Sequence, residues 1–268
     1  MISILLAGVS GALAALLTQL FVGFKKEKRA VSAVAVVILF LIFKTVASIY
    51  VEPPLEAWNT EREIRQIPFY NDLAVYDPAT FAQVKLALRD GLRSGDSKDR
   101  VAMRITDVLA PTLPRYMPRA SDASVSAYTQ FMAGYLAQLD ETDTEACYAV
   151  LYPTKFGRPG LATKYADDKT KQEMLAILTQ IIESAMKNPQ PAPAKEEAGQ
   201  LLHPILAALV EKHGSDVRLL NATPRDATER KKVCDMTTGL FVQIAALPRS
   251  NGSMVLRSLM SQTESAKQ

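Results

Sequence analysis

Residues 1–29 read MISILLAGVSGALAALLTQLFVGFKKEKR, and residues 30–51 read AVSAVAVVILFLIFKTVASIYV. Two long apolar runs thus flank one charged knot, Lys25-Lys26-Glu27-Lys28-Arg29. About 20 apolar residues in a helix span the hydrocarbon core of a bilayer, and helices over about 2–24 and 30–51 are both long enough. The five-residue knot leaves room only for a tight turn, so the pair reads as an antiparallel transmembrane hairpin. Short loops rich in Lys and Arg stay in the cytoplasm, which puts the N-terminus and everything after Val51 on the far side. In a bacterium that side is the periplasm; in a eukaryote it is a lumen or the exterior. Tyr50 and Trp58 stand where interfacial aromatics prefer to sit. A competing reading takes residues 1–14 as a cleaved signal peptide, with Ala12-Leu13-Ala14 as the small-x-small site. No basic residue precedes that run, however, and cleavage would strand the basic knot outside.

The first apolar helix carries Gly8, Gly11, Ala12 and Ala15 at small-xxx-small spacing, which lets helix backbones approach closely in lipid. They serve either the chain's own second helix or a membrane partner, including a second copy. Lys44 lies inside the second run, where a cation is costly. Either its stem carries the ammonium to the interface, or it pairs with an acid on another protein, because the first helix offers none.

Beyond Val51, about 215 residues remain, enough for one domain with a proper core or two small ones. They carry 26 basic and 27 acidic residues, so the chain's basicity belongs to the membrane turn and nucleic-acid binding has no electrostatic support. The pattern is helical nearly throughout. Asp77 precedes Pro78 and then Phe81, Val84, Leu88 and Leu92 at three-to-four spacing, a cap followed by an amphipathic helix. Further starts are expected at Asp96 or Ser97, at Ser121 or Asp122, at Asp167 or Asp168, at Lys195 and at Asp226. Thr142 with Glu145 reads as a capping box, His213-Gly214 as a helix stop, and Ser253 to about Glu264 as a last helix. Strand signals are scarce. Pro111–Arg119 and Tyr152–Tyr165 read as breaks, and Asn188–Pro193 as a stiff polyproline linker between lobes at 56–187 and 195–264. The expected fold is all-α: the hairpin, then an extracytoplasmic domain (52–268) of about seven to nine helices.

Cys147 and Cys234 fall one in each proposed lobe. In an oxidising compartment an even pair reads as a disulfide; two separate buried thiols are the alternative. Little else points to chemistry. His203 and His213 lie about 80° apart around one helix, too far apart to share a metal, and no zinc, phosphate-loop, dinucleotide or nucleophile-elbow motif appears. No metal and no cofactor are therefore expected. Asp140, Glu141, Asp143 and Glu145 cluster at a helix start and would suit a two-carboxylate glycan hydrolase, but acids gather in first helical turns for electrostatic reasons alone; Asp167 and Asp168 have the same explanation. No catalytic residue is assigned.

Lys155, Phe156, Arg158, Lys164 and Tyr165 place basic and aromatic groups on the longest loop, and Arg115, Tyr116 and Arg119 do the same in the proline-rich break. Such loops suit a contact surface, or else tuck their aromatics into the core. Asn221 and Asn251 stand in glycosylation sequons of a kind common by chance. The expected work is binding, as a scaffold, accessory subunit or inhibitor/immunity-type factor of an envelope complex held at the cytoplasmic membrane, with a protein partner or a homo-oligomer formed through the hairpin. The competing class is a membrane-tethered periplasmic hydrolase acting on cell-wall glycan.

Overall fold

A computed structural model describes residues 62, 64–152 and 166–265. The expected hairpin, with Gly8, Gly11, Ala12, Ala15 and Lys44, lies outside the described residues, as do Lys155, Phe156, Arg158, Lys164 and Tyr165. Among the described residues the regular elements are all helical, with no strand, and no helix is long and apolar enough to cross a membrane. The chain from Arg62 onward forms one compact unit.

The helices in chain order are α1 (Pro68–Tyr76), α2 (Pro78–Arg93), α3 (Lys98–Leu109), α4 (Thr112–Tyr116), α5 (Asp122–Thr142), α6 (Thr144–Leu151), α7 (Asp168–Lys187), α8 (Lys195–His213), α9 (Ala227–Ala246) and α10 (Arg249–Ser265), with 3₁₀ turns η1 (Met117–Arg119) and η2 (Gly214–Asn221). The expected starts hold where a short polar side chain can satisfy orphan amides. Asp77, Ser97, Ser121, Asp167 and Asp226 each accept from the amide three residues on. Gly214, at φ 57°, ends α8 in a conformation that only glycine adopts cheaply.

Four elements depart from the sequence reading. No box forms at Thr142: α5 continues through it, and its hydroxyl donates back to the Gln138 carbonyl at 2.7 Å. Asp143, in extended conformation, instead accepts from the Glu145 and Ala146 amides at 3.0 and 3.2 Å. The Pro111–Arg119 stretch is helical rather than broken, because Pro114 occupies the third position of α4, where the missing N–H has no intrahelical partner to lose. Helix α10 starts at Arg249, four residues before Ser253. Its early start needs Gly252: a Cβ there would stand 2.6 Å from the Ile244 carbonyl oxygen. Helix α1, with Pro68 at its first turn, is a further element that the spacing analysis did not single out.

Helix α5 is the axis of the core. Val125, Leu136 and Leu139 on it are fully buried, and α9, α10, α7 and α6 pack around it. Each such side chain stabilises the fold by roughly 1.5–3 kcal/mol. Helix α1 lies on α7, and α3 on α2. Helices before and after Asn188–Pro193 share this core: Ile181 and Ala185 belong to the same cluster as Cys234, Phe241 and Leu256. The proline segment runs between them with the Gln190 amide donating to the Arg119 carbonyl at 2.8 Å. Arg257, nine-tenths buried on α10, stands 2.9 Å from Asp122 at the start of α5, an ion pair that ties the two helices together.

Candidate functional site

The sequence forces α7 to bury a wide apolar stripe. Met174, Leu175, Leu178, Ile181 and Ile182 span too broad an arc for one neighbouring helix to cover. Ile181 and Ile182 close onto α5 and are fully buried, whereas Met174, Leu175 and Leu178 are only partly covered. In front of them lies a cavity of about 620 Å³ that opens to solvent. Phe69 and Tyr70 of α1 form one wall. The end of α3 and the short α4 supply Leu109, Thr112, Leu113 and Tyr116, and α5 supplies Tyr128 and Met132. Val150, Leu151 and Tyr152 close the end, with Phe241 and Met260 behind. Thr106 and Ala110 stand at the rim and are exposed.

Two magnitudes bear on this space. A sealed, dry hole of that volume would destabilise the fold on the order of 15 kcal/mol, as much as the whole stability of a typical domain. The volume also falls within the roughly 300–1,000 Å³ of small-ligand sites. No described residue lining it is charged. The polar groups in its wall are hydroxyls. Thr112 is 7 % exposed, and its Oγ1 has no hydrogen-bond partner among the described residues. Burial raises the Tyr128 phenol well above its ordinary range and also raises Tyr70, so both stay neutral donors. An orphan hydroxyl buried in an apolar wall is costly unless something meets it.

The residues singled out from sequence fall in several places. Tyr116 is buried and forms part of the cavity wall, and Arg115 beside it meets the same carboxylate, that of Asp77. Arg115 donates to Asp77 at 2.7 Å, and the Thr80 amide and hydroxyl donate to the same carboxylate at 3.0 and 2.6 Å. Burial works against ionisation of Asp77, but the Thr80, Tyr116 and Arg115 contacts outweigh it and hold the carboxyl below its usual range. The Arg119 side chain is exposed, and its carbonyl accepts from Gln190. Cys147 and Cys234 are disulfide-bonded, Cα atoms 6.1 Å apart, joining α6 to α9.

The acidic cluster is dispersed into structural roles. Asp143 caps α6. Glu145 accepts from Arg230 at 2.9 and 3.1 Å. Lys231 lies 3.4 Å from Asp140 and 3.1 Å from Asp235, bridging α5 and α9. Burial and the neighbouring Asp235 raise the Asp140 carboxyl. Burial also opposes ionisation of Asp235, but hydrogen bonds from Asp140 and Lys231 bring it below its usual range. Glu141 is exposed. His203 is exposed on α8, and the Nε2 of the half-buried His213 has no partner among the described residues. Among those residues no three His, Cys, Asp or Glu side chains converge as metal ligands.

Neither the cavity nor Thr112 is signalled by a motif. The one usable clue is the excess apolar width of α7 opposite a proline-rich stretch. Comparison with family models, curated proteins and solved structures finds no match.

Proposed function

We propose that this chain is a membrane-anchored, extracytoplasmic binding protein whose helical domain receives a hydrophobic partner in the cavity between α1, α4, α5 and α7. The observation that carries this reading is a solvent-open apolar cavity of about 620 Å³ with no charged group among its described lining residues. Enclosed apolar space with a few convergent polar groups is the usual form of a binding site. Anchoring and topology rest on the apolar runs at 1–51 and the basic turn at 25–29. The Cys147–Cys234 bond supports an exported domain, because disulfides persist in oxidising compartments.

Accessory or scaffold work in an envelope complex fits the same arrangement. Leu206 and Val210, one turn apart on α8, and Val242 on α9 are 38, 51 and 47 % exposed, apolar side chains suited to a protein contact. The glycan-hydrolase reading has less support. Asp140 and Asp235 share a hydrogen bond, far closer than the roughly 5–9.5 Å between the two working acids of a glycosidase.

Two measurements test the proposal. Alkaline phosphatase fused after Gln268 is expected to be active and a cytosol-only reporter silent; the reverse pattern removes the exported domain. The full chain purified in mild detergent is expected to carry a hydrophobic component that mass spectrometry detects and that Ala110→Trp, at the cavity rim, displaces. Identical bound material in both proteins sinks the cavity as the site.

A further inference from the structure

Resting on the membrane anchor in that reading, and not on the cavity, we propose that the turn between α2 and α3 docks on anionic phospholipid headgroups of the bilayer that holds residues 1–51. The observation behind it is a separation of charge. Gly95, at φ 66°, follows α2 and closes it: its amide donates to the Leu92 carbonyl at 3.2 Å, and the Asp96 amide donates to the Gly91 carbonyl at 3.0 Å. The Asp96 side chain lies inward, 4 % exposed, and accepts from Arg100 at 3.0 Å and from Arg104 at 2.9 Å. One buried carboxylate thus holds two guanidiniums that remain 62 and 45 % exposed. Arg93, on the last turn of α2, is exposed as well, and Arg89 one turn earlier lies 3.3 Å from its neighbour Asp90. Four arginines therefore stand against two aspartates, one of them buried, while Lys98 and Asp99 cancel in the sequence. The chain beyond Val51 has 26 basic and 27 acidic residues, so the excess is local and the rest of the domain is acidic.

Magnitude selects the partner. Each arginine brought to an anionic surface adds about a fivefold attraction, so three exposed ones give roughly a hundredfold, which for a free partner is only millimolar binding. A dilute acidic protein is not held by that. A bilayer to which the chain is already joined is held, because a short tether keeps the local concentration in the millimolar range. The chain from Val51 to Arg62 reaches at most ~40 Å when extended. Arg65, 4.7 Å over the Phe81 ring, fixes the start of the described chain at the first turn of α2. Arg93 lies about 18 Å further along that helix, inside the same reach. Leu86, exposed two turns before Arg93 on one face of α2, adds an apolar side chain suited to the headgroup layer.

The test uses the full chain with ¹³C-labelled leucine methyls in nanodiscs that contain a trace of tempo-phosphatidylcholine, a lipid with a nitroxide on its headgroup. One set of discs is phosphatidylcholine alone, and the other adds phosphatidylglycerol. With phosphatidylglycerol, Leu86 is expected to broaden about twofold more than Leu206, which is exposed on α8. The difference is expected to vanish in phosphatidylcholine alone and in about 1 M salt, where the screening length falls to about 3 Å. Arg93→Glu, folded by circular dichroism, is expected to abolish it, and Arg100→Gln, which leaves Arg104 on Asp96, to reduce it. Unchanged broadening in both folded variants overturns the role of this turn. Selective broadening that is equal in the two lipids and persists in salt overturns the anionic headgroup as the partner. A chain that stays with the discs but shows Leu86 no broader than Leu206 overturns the inference and leaves the anchor standing. A chain that separates from the discs on size exclusion removes the anchor, and the inference with it.

Discussion

Where α6 meets α9 the domain is tightly closed. Tyr148, Val233 and Met236 pack with Leu219 of η2, Cys147 and Cys234 are bonded through the contact, and Glu145–Arg230 and Asp140–Lys231–Asp235 lace its edge. Where α7 meets α3 and α4, side chains of the same kinds leave an open volume. Both regions lean on α5, and both draw on Leu, Met, Tyr and Val. Hydrophobic content therefore does not decide which contact closes. Helix length does: the five-residue α4 and the end of α3 cannot cover the broad stripe of the 20-residue α7.

The largest expected effect falls on the closed region. Replacing Cys147 and Cys234 together by Ala opens a bond between residues 87 apart and is expected to destabilise the domain by about 4–5 kcal/mol on the chain-entropy account. Urea unfolding followed by circular dichroism measures this, and an unchanged midpoint would mean that the bond is not formed in the protein. Next comes Gly252→Ala at the α9–α10 corner, where the Ile244 carbonyl oxygen blocks the new methyl. A loss of about 1–3 kcal/mol is expected, read from the same unfolding curves, and a neutral result would show that the corner relaxes.

Asp77 lies on the side of the open region, since it caps α2 and holds Arg115 of α4. Asp77→Asn is expected to lose about 1 kcal/mol at neutral pH. The folded-state pKa of Asp77 is depressed, so its contribution is complete above the unfolded carboxyl value of about 4 and fades as pH falls through the lower folded value. The gap between wild type and D77N should therefore close in acid; a gap that is constant from pH 7 to pH 2 refutes the ionic part of the cap.

The smallest effect is the sharpest comparison. One methylene is added in each region, by Val233→Ile in the closed contact and Val150→Ile at the cavity. Val233 is 1 % exposed, so the first is expected to destabilise by about 1 kcal/mol. The second has room and is expected to be neutral or to stabilise by up to ~0.8 kcal/mol. Equal losses at the two sites, in paired melting measurements, would mean that the cavity is closed in solution.

Much of the helical fold was legible because its signals are local. Asp77, Ser97, Ser121, Asp167 and Asp226 announce their helices by cap chemistry that depends on the next three residues. The cysteine pairing was legible for a different reason, since two cysteines permit only one intramolecular bond. The misread boundaries are those settled by distant contacts or by competition between neighbours. Asp143 outcompetes Thr142 as a cap because the Thr142 hydroxyl is drawn back to Gln138, and α10 begins early because Gly252 lets it approach α9. The shared core was hidden by the proline segment, which looks like a hinge but is held along one body by the Gln190–Arg119 bond. The cavity was invisible because a void is a relation among eight helices, and no spacing along one of them encodes it.

The sulfur bridge between α6 and α9 has a consequence for how the molecule breaks. It makes the 86 residues between Cys147 and Cys234, including all of α7 and α8, a covalently closed ring. A protease that cuts once anywhere inside that ring releases nothing: the two pieces migrate as one band until a thiol reductant separates them. A chain nicked there would still hold α1 to α5 and its last two helices on a single tether.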